Sequence, residues 1–266
     1  MFHFRPAQAT DAPQISEVLR FGFPEDLLPY TIFGCPGIAW YLSDALHDGG
    51  LQPGDAYLVC ADGADVVGFA EIRWTSDLLF LNHLFVLPAA RGHGLGTRLF
   101  LEGLKTARTL DQHGVQLDVF ADNLRARKWY ESLGFVPSHQ RLWVEVALSG
   151  PMDKEATWDT RELAQADAVH AVYGFSEFTL QTRAATYRVG RLGGHLFRSL
   201  DGAILSDPQA LGALARLDPN RKLLCITRND STAGHPFIDA IVRARSFRMA
   251  ADVDEVLERL SCFRTF

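Results

Sequence analysis

LNHLFVLPAARGHGLGTRLF, residues 81–100, is the stretch that decides how this chain is read. Its apolar start reads as a strand closed by Pro88, and its glycines open onto a helix. Glycines let a backbone approach an anion closely. The N–H groups of the helix start, aided by the helix dipole, then hold phosphate oxygens. No Lys-Ser/Thr pair follows the glycines, which excludes the phosphate loop of nucleotide hydrolases. The spacing Gly92-x-Gly94-x-Gly96 also differs from the dinucleotide fingerprint.

The elements on either side alternate in type. Residues 2–7 read as a strand, 12–21 and 39–48 as helices, and 56–74 as a hairpin turning at Asp62-Gly63. Residues 115–122 read as a strand, 123–134 as a helix stopped by Gly134, and 135–148 as one long strand or a pair. Helices between strands imply an α/β fold, a mixed twisted sheet flanked by helices. Residues 149–160 carry Gly, Pro and charges without an apolar period and read as a linker between a domain at 1–148 and a smaller α/β domain at 161–266. In that second part, 178–189, 194–200 and 223–228 read as strands, and 207–217, 236–245 and 251–260 as helices.

The 266 residues are 47% hydrophobic and 22% charged, enough for two cores. No apolar run approaches the roughly 20 residues of a membrane helix, and the start lacks a signal-peptide layout, so a cytoplasmic protein without membrane contact is expected. Residues 1–148 hold 11 Lys and Arg against 17 Asp and Glu, and the remainder 15 against 15. Neither half is basic enough for nucleic acid to be an expected partner, and an acidic first half suits a cationic acceptor. Cys35, Cys60, Cys225 and Cys262 form no C-x-x-C pair and no zinc spacing, so they read as reduced core thiols and no metal is expected.

The 81–100 stretch resembles motif A of the GNAT superfamily of N-acetyltransferases. The correspondence lies in Val86-Leu87-Pro88 and in Arg91-x-x-Gly94-x-Gly96. Asn123-x-x-Ala126-x-x-x-Tyr130-x-x-x-Gly134-Phe135 resembles the same family's motif B, and the likeness covers residues 2–148. It implies acetyl-CoA as cosubstrate. Backbone N–H groups of Arg91, Gly92, His93, Gly94, Leu95, Gly96 and Thr97 would hold its pyrophosphate. Main-chain groups of Phe85 and Val86 would pair with the pantetheine arm, with Asn123 beside it. Tyr130 would protonate the leaving thiolate, a task within reach of a phenol.

The general base stays open. Many members of the family carry Glu four residues before the valine of Val-x-Pro, where this chain has Asn82. Asp118, Glu71 and His83 are the candidates, with water alone as the alternative. Strand alternation turns His83 away from the Asn82 face unless a bulge intervenes.

Residues 22–38 form an unusually apolar connection, which suits an apolar acceptor or, better, contact with the second half. That half has no comparable glycine loop, since Arg191-Leu192-Gly193-Gly194 matches poorly. Residues 223–247 faintly echo 117–135, which suggests a degenerate GNAT-like unit, with an unrelated small α/β module as the alternative; either would wall the acceptor site or form a homodimer. The reading is an N-acetyltransferase acting by direct transfer on a primary amine, of a small molecule or a peptide. A non-catalytic acyl-CoA-binding regulator and a longer acyl group are the alternatives.

Overall fold

Short apolar runs build the first five strands, β1 (Phe2–Pro6), β2 (Ala56–Asp62), β3 (Asp65–Trp74), β4 (Leu78–Val86) and β5 (Gly114–Phe120). Interleaved with them are helices α1 (Ala12–Gly22), α2 (Ile38–His47), α3 (Leu95–Ala107) and α4 (Leu124–Ser132). The structure, a computed structural model, describes residues 1–47, 54–75, 77–108, 112–148, 158–228 and 240–262. The remaining elements are β6 (Val136–Ala147), β7 (Asp159–Arg161), α5 (Leu163–Tyr173), β8 (Phe175–Gln181), β9 (Thr186–Leu192), β10 (Leu196–Ser199), α6 (Pro208–Leu217), β11 (Lys222–Arg228), β12 (Ile241–Asp252) and α7 (Val253–Cys262). No described helix is long and apolar enough to cross a membrane.

The fold is α/β with two compact units, but the chain is shared between them differently from the expected division at 149–160. One unit comprises Met1–Pro24, Ala39–Ser138 and Phe247–Phe266, and the other Glu25–Ile38 and His139–Ser246. Of the expected linker, residues 149–157 lie outside the described residues, and Asp159 and Thr160 begin β7.

In the first unit the strand order is β1-β2-β3-β4-β5, followed by the C-terminal stretch of β12. Helix α3 covers one face with Leu99, Phe100 and Leu104, all fully buried, each contributing about 2 kcal/mol by removal from water. The same core takes in Phe135, Met249, Val253, Val256 and Leu260. Residues 1–148 therefore do not complete this core. The last helix does, because Val253, Val256 and Leu260 recur at helical spacing and put one apolar stripe against it.

The second unit orders β6-β11-β10-β9-β8-β7 around Phe178, Val189, Phe197 and Leu223. Its chain-distant piece, Glu25–Ile38, explains the apolar connection noted in the sequence. Tyr30, Ile32 and Cys35 pack with Leu192, Leu196, Leu224 and Ile226, and Gly37 N–H donates to Tyr173 O at 3.2 Å. Tyr30 Oη donates to the buried Glu145 carboxylate at 2.8 Å, which also accepts from Lys222 and Arg243. Burial alone would raise the Glu145 pKa, but the bonds from Arg243, Lys222 and Tyr30 bring it down to about 2.

Three sequence expectations change. The run 178–189 is a hairpin, β8 and β9, with its turn between Gln181 and Thr186. The helix expected at 236–245 falls partly outside the described residues, and from Ile241 the chain is strand β12. The stretch after β11 on which the echo of 117–135 turns, residues 229–239, lies outside the described residues. Cys35, Cys60 and Cys225 are buried as expected, but Cys262 is exposed.

Leu260→Ala should lower the unfolding free energy by about 2–4 kcal/mol through an unfilled cavity under α7. Urea unfolding monitored by circular dichroism measures it, and a loss below 1 kcal/mol would show that α7 is peripheral to the first core.

Candidate active site

β4 starts as an ordinary neighbour of β5. Leu78–Leu81 pair in parallel with Gly114–Leu117, and there the ladder stops, although β4 runs on to Val86 and β5 to Phe120. On the other side, Ile72 of β3 faces Leu81 while Glu71 faces His83, so Asn82 is the extra residue of a β-bulge. A bulge moves side-chain alternation by one position. Leu79 and Leu81 point into the α3 core before it, and Leu84 and Val86 after it. His83 and Phe85 are thereby turned to the opposite face, where their cross-strand partners Glu71 and Phe69 also lie.

The bulge gathers two of the three base candidates. Glu71 is 4% exposed, and its Oε1 accepts from Arg73 Nε at 2.6 Å. Its Oε2 lies 3.6 Å from His83 Nε2, and the Asn82 side chain also hydrogen-bonds to it. Burial works against the Glu71 carboxylate, but His83, Arg73 and Asn82 outweigh it and hold the group below its ordinary range. Burial lowers His83 to about 4, with Glu71 pulling upward and Arg73 downward, so the imidazole is neutral at neutral pH. Asp118, the third candidate, is separate. Both its oxygens accept from Arg248, at 2.6 and 2.8 Å, and Arg248 also stacks over Phe80 and donates to Gln116. Arg73 stands two places along β3 from Glu71 and so on its face, a signal local to the sequence, whereas nothing local pointed to Arg248 as the partner of Asp118.

The glycine loop follows directly. Gly92 and Gly94 take φ of +87° and +67°, which an L side chain adopts only with strain, and a Cβ at either would meet nothing within 4 Å. Gly94 is the N-cap of α3 and supplies no side-chain cap, and the first helical bond is Arg98 N–H to Gly94 O. The N–H groups of Leu95, Gly96 and Thr97 thus precede the helical ladder, a fit for phosphate oxygens. Arg91 Nε donates to Val86 O at 2.9 Å, so a pantetheine arm pairing with that carbonyl would replace this bond. His93 is exposed and bonded to Ala90 O, consistent with a spacer. Asn123 caps α4, its Oδ1 accepting from Ala126 N–H at 3.1 Å, which leaves its amide nitrogen to point elsewhere. Tyr130 sits on α4, 9% exposed, its ring 5.6 Å from Phe135, and burial raises its pKa well above the ordinary phenol value.

The second unit has the corresponding parallel strand pair, β10 with β11, but not the same opening. β10 ends at Ser199, where its pairing ends, and Gly193 and Gly194 form the β9–β10 turn. Helix α6 begins on Asp207, whose carboxylate accepts from Gln209 and Ala210 N–H at 2.9 and 3.1 Å and is buttressed by Thr182 and Tyr187. A side chain occupies the position that α3 leaves open.

The pattern of the Acetyltransferase (GNAT) family matches residues 23–135. The Uncharacterized N-acetyltransferase YjgM of Escherichia coli (strain K12) is 35% identical over 134 residues, 47% of this chain and 76% of that protein. N-alpha-acetyltransferase 40 of Saccharomyces cerevisiae is 45% identical over 87 residues, a match that spans only 30% of either chain. Among solved structures, a tandem GNAT protein from the clavulanic acid biosynthesis pathway superposes with a TM-score of 0.66 at 15% identity, covering 95% of this chain and 99% of that one. A GCN5-related N-acetyltransferase from Sphaerobacter thermophilus gives 0.61 at 17%, covering 95% and 96%. At these identities the likeness to the solved structures is one of fold. The chain belongs to the GNAT family, a family of N-acetyltransferase enzymes.

Two outcomes follow from this geometry. Gly94→Ala should weaken acetyl-CoA binding about tenfold, since it costs about 1–2 kcal/mol of backbone strain at the loop. Isothermal titration reads it, and an unchanged Kd would mean the loop is only a turn. The second concerns pH. Because the folded protein holds His83 below its unfolded value of 6.5, the unfolded chain takes up the proton first, and stability falls as pH drops from about 6.5 to about 4. The shift corresponds to roughly 3 kcal/mol. Denaturant melts at pH 7 and 4.5 should show a smaller loss for His83→Asn than for the parent chain, and equal losses would contradict a buried neutral His83.

Proposed function

We propose that the first unit transfers the acetyl group of acetyl-CoA directly to a primary amine, and that the second unit carries no second acetyl-CoA site. The juxtaposition of an open α3 N-terminus with a bulge that presents His83 beside Glu71 carries this reading.

Acetyl-CoA supplies an acyl group already activated as a thioester. The loop from Arg91 to Thr97 holds the pyrophosphate through backbone N–H groups, and the edge of β4 at Phe85 and Val86, once Arg91 releases Val86 O, aligns the pantetheine arm with Asn123 nearby. The amine nitrogen forms its bond to the acyl carbon as the carbon–sulfur bond breaks. His83, neutral at working pH, accepts the proton released by the amine, directly or through a water molecule. Glu71 steadies the imidazolium that results. Tyr130, kept protonated by burial, gives its proton to the departing sulfur. Asp118 takes no part, because Arg248 already uses both its oxygens. Alignment of the two reactants supplies much of the acceleration. No acyl-enzyme is invoked. Burial raises Cys60, the cysteine of the first core, to about 11 and leaves it a poor nucleophile.

Tyr130→Phe should lower kcat by about 10²-fold or more, the ordinary contribution of a general acid, while the Kd for acetyl-CoA stays within about twofold. Thiol release with an amine acceptor, run beside titration calorimetry, separates the two. Full activity in Tyr130→Phe would remove Tyr130 from the mechanism, and binding without turnover on any amine would favour a regulatory acyl-CoA-binding role.

A further inference from the structure

Three strands present their outward side chains on the face turned away from α3. β3 offers Phe69, Glu71 and Arg73, β4 offers Phe80, His83 and Phe85, and β5 offers Gln116, Asp118 and Phe120. The charges on this face are already spent on one another. Glu71 is bonded to Arg73 and Asp118 to Arg248, so each carboxylate meets its own guanidinium. What the face offers besides these closed pairs is aromatic surface around the imidazole. Phe23, at the end of α1, bridges the parted strands, its ring 5.4 Å from Phe85 of β4 and 6.1 Å from Phe120 of β5. The Phe85 ring lies flat over His83 at 6.0 Å, and Phe23 meets His83 edge-on at 6.3 Å. Phe23, Phe80, Phe85 and Phe120 are each partly exposed. The close approach of α1 to Phe85 requires Gly22, where a Cβ would fall 2.3 Å from the ring.

From this face we infer the class of the acceptor: a small primary monoamine carried on an aromatic or bulky apolar body. The inference rests on the transfer reaction proposed above. A polyamine or an aminoglycoside needs several carboxylates for its several ammonium groups, and both carboxylates that these strands present are neutralised. An amino acid needs a cation for its carboxylate, and both guanidinium groups are likewise engaged. One ammonium group beside phenyl rings is stabilised by their π faces until it gives up its proton, and its apolar body covers the rings.

The test uses the full chain with saturating acetyl-CoA and follows thiol release with phenethylamine, hexylamine, spermidine, kanamycin and glycine. Phenethylamine should exceed spermidine, kanamycin and glycine in kcat/KM by about tenfold or more, the size of one good aromatic contact. Phe120→Leu should raise the phenethylamine KM several-fold more than it raises the hexylamine KM, with the acetyl-CoA KM unchanged. The acetyl-CoA value also reports that the variant is folded. Preference for spermidine, kanamycin or glycine would overturn the inference and leave the transfer reaction standing, as would a Phe120→Leu variant with an unaltered ranking and unaltered KM values. No thiol release with any of the five amines, despite an acetyl-CoA-induced rise in Tm, would overturn the transfer reading and this inference with it.

Discussion

One residue too many in β4 organises the first unit. Asn82 has no counterpart across the ladder to β3, and the register shift it causes turns His83 and Phe85 onto the face of Glu71. The ladder from β4 to β5 ends at Leu81, just before the bulge. The strands then part, so β4 beyond Leu81 and β5 beyond Leu117 no longer pair with one another. The glycine loop and α3 continue from the same strand, and their position is set by where β4 ends. A chain without the bulge would bury His83 in the α3 core and point Leu84 and Val86 to the opposite face.

The parts of this arrangement that are local in sequence were legible there. The glycine loop, the Asn123–Tyr130 helix and the hairpin turning at Gly63 each occupy one short run with its own signals, and each forms where expected. The bulge was legible only as a condition, because a two-residue alternation carries no mark of the place where it slips. The fate of Asp118 was not legible at all, since its partner Arg248 is 130 positions away. The boundary between the units failed for the same reason. Phe247 and the residues after it return to the first unit, and Glu25–Ile38 leaves it, through contacts that no window of the sequence contains. Helix α5 escaped notice because Ala166 is its one fully buried residue, so it shows no apolar stripe, and its start at Glu162 takes φ of +64° without a capping side chain.

The charges of the first unit follow a common rule. Its excess of acidic residues suggested a cationic acceptor, yet the carboxylates on the outward face of the sheet are matched with arginines at hydrogen-bond distance. Net charge describes the long-range field that draws a ligand in, whereas the paired groups decide what it meets on arrival. The two need not agree, and here the face of the sheet turned away from α3 is aromatic and its charges are paired.

The carboxylate of Asp207 at the start of α6 sets that terminus apart from the start of α3. A helix that satisfies its own terminal N–H groups owes nothing to a ligand, whereas α3, opened by glycines, gains from any anion that completes it. Under the proposed function, mass action would tie the stability of the first unit to the abundance of its acyl donor, with stabilisation growing as the logarithm of concentration.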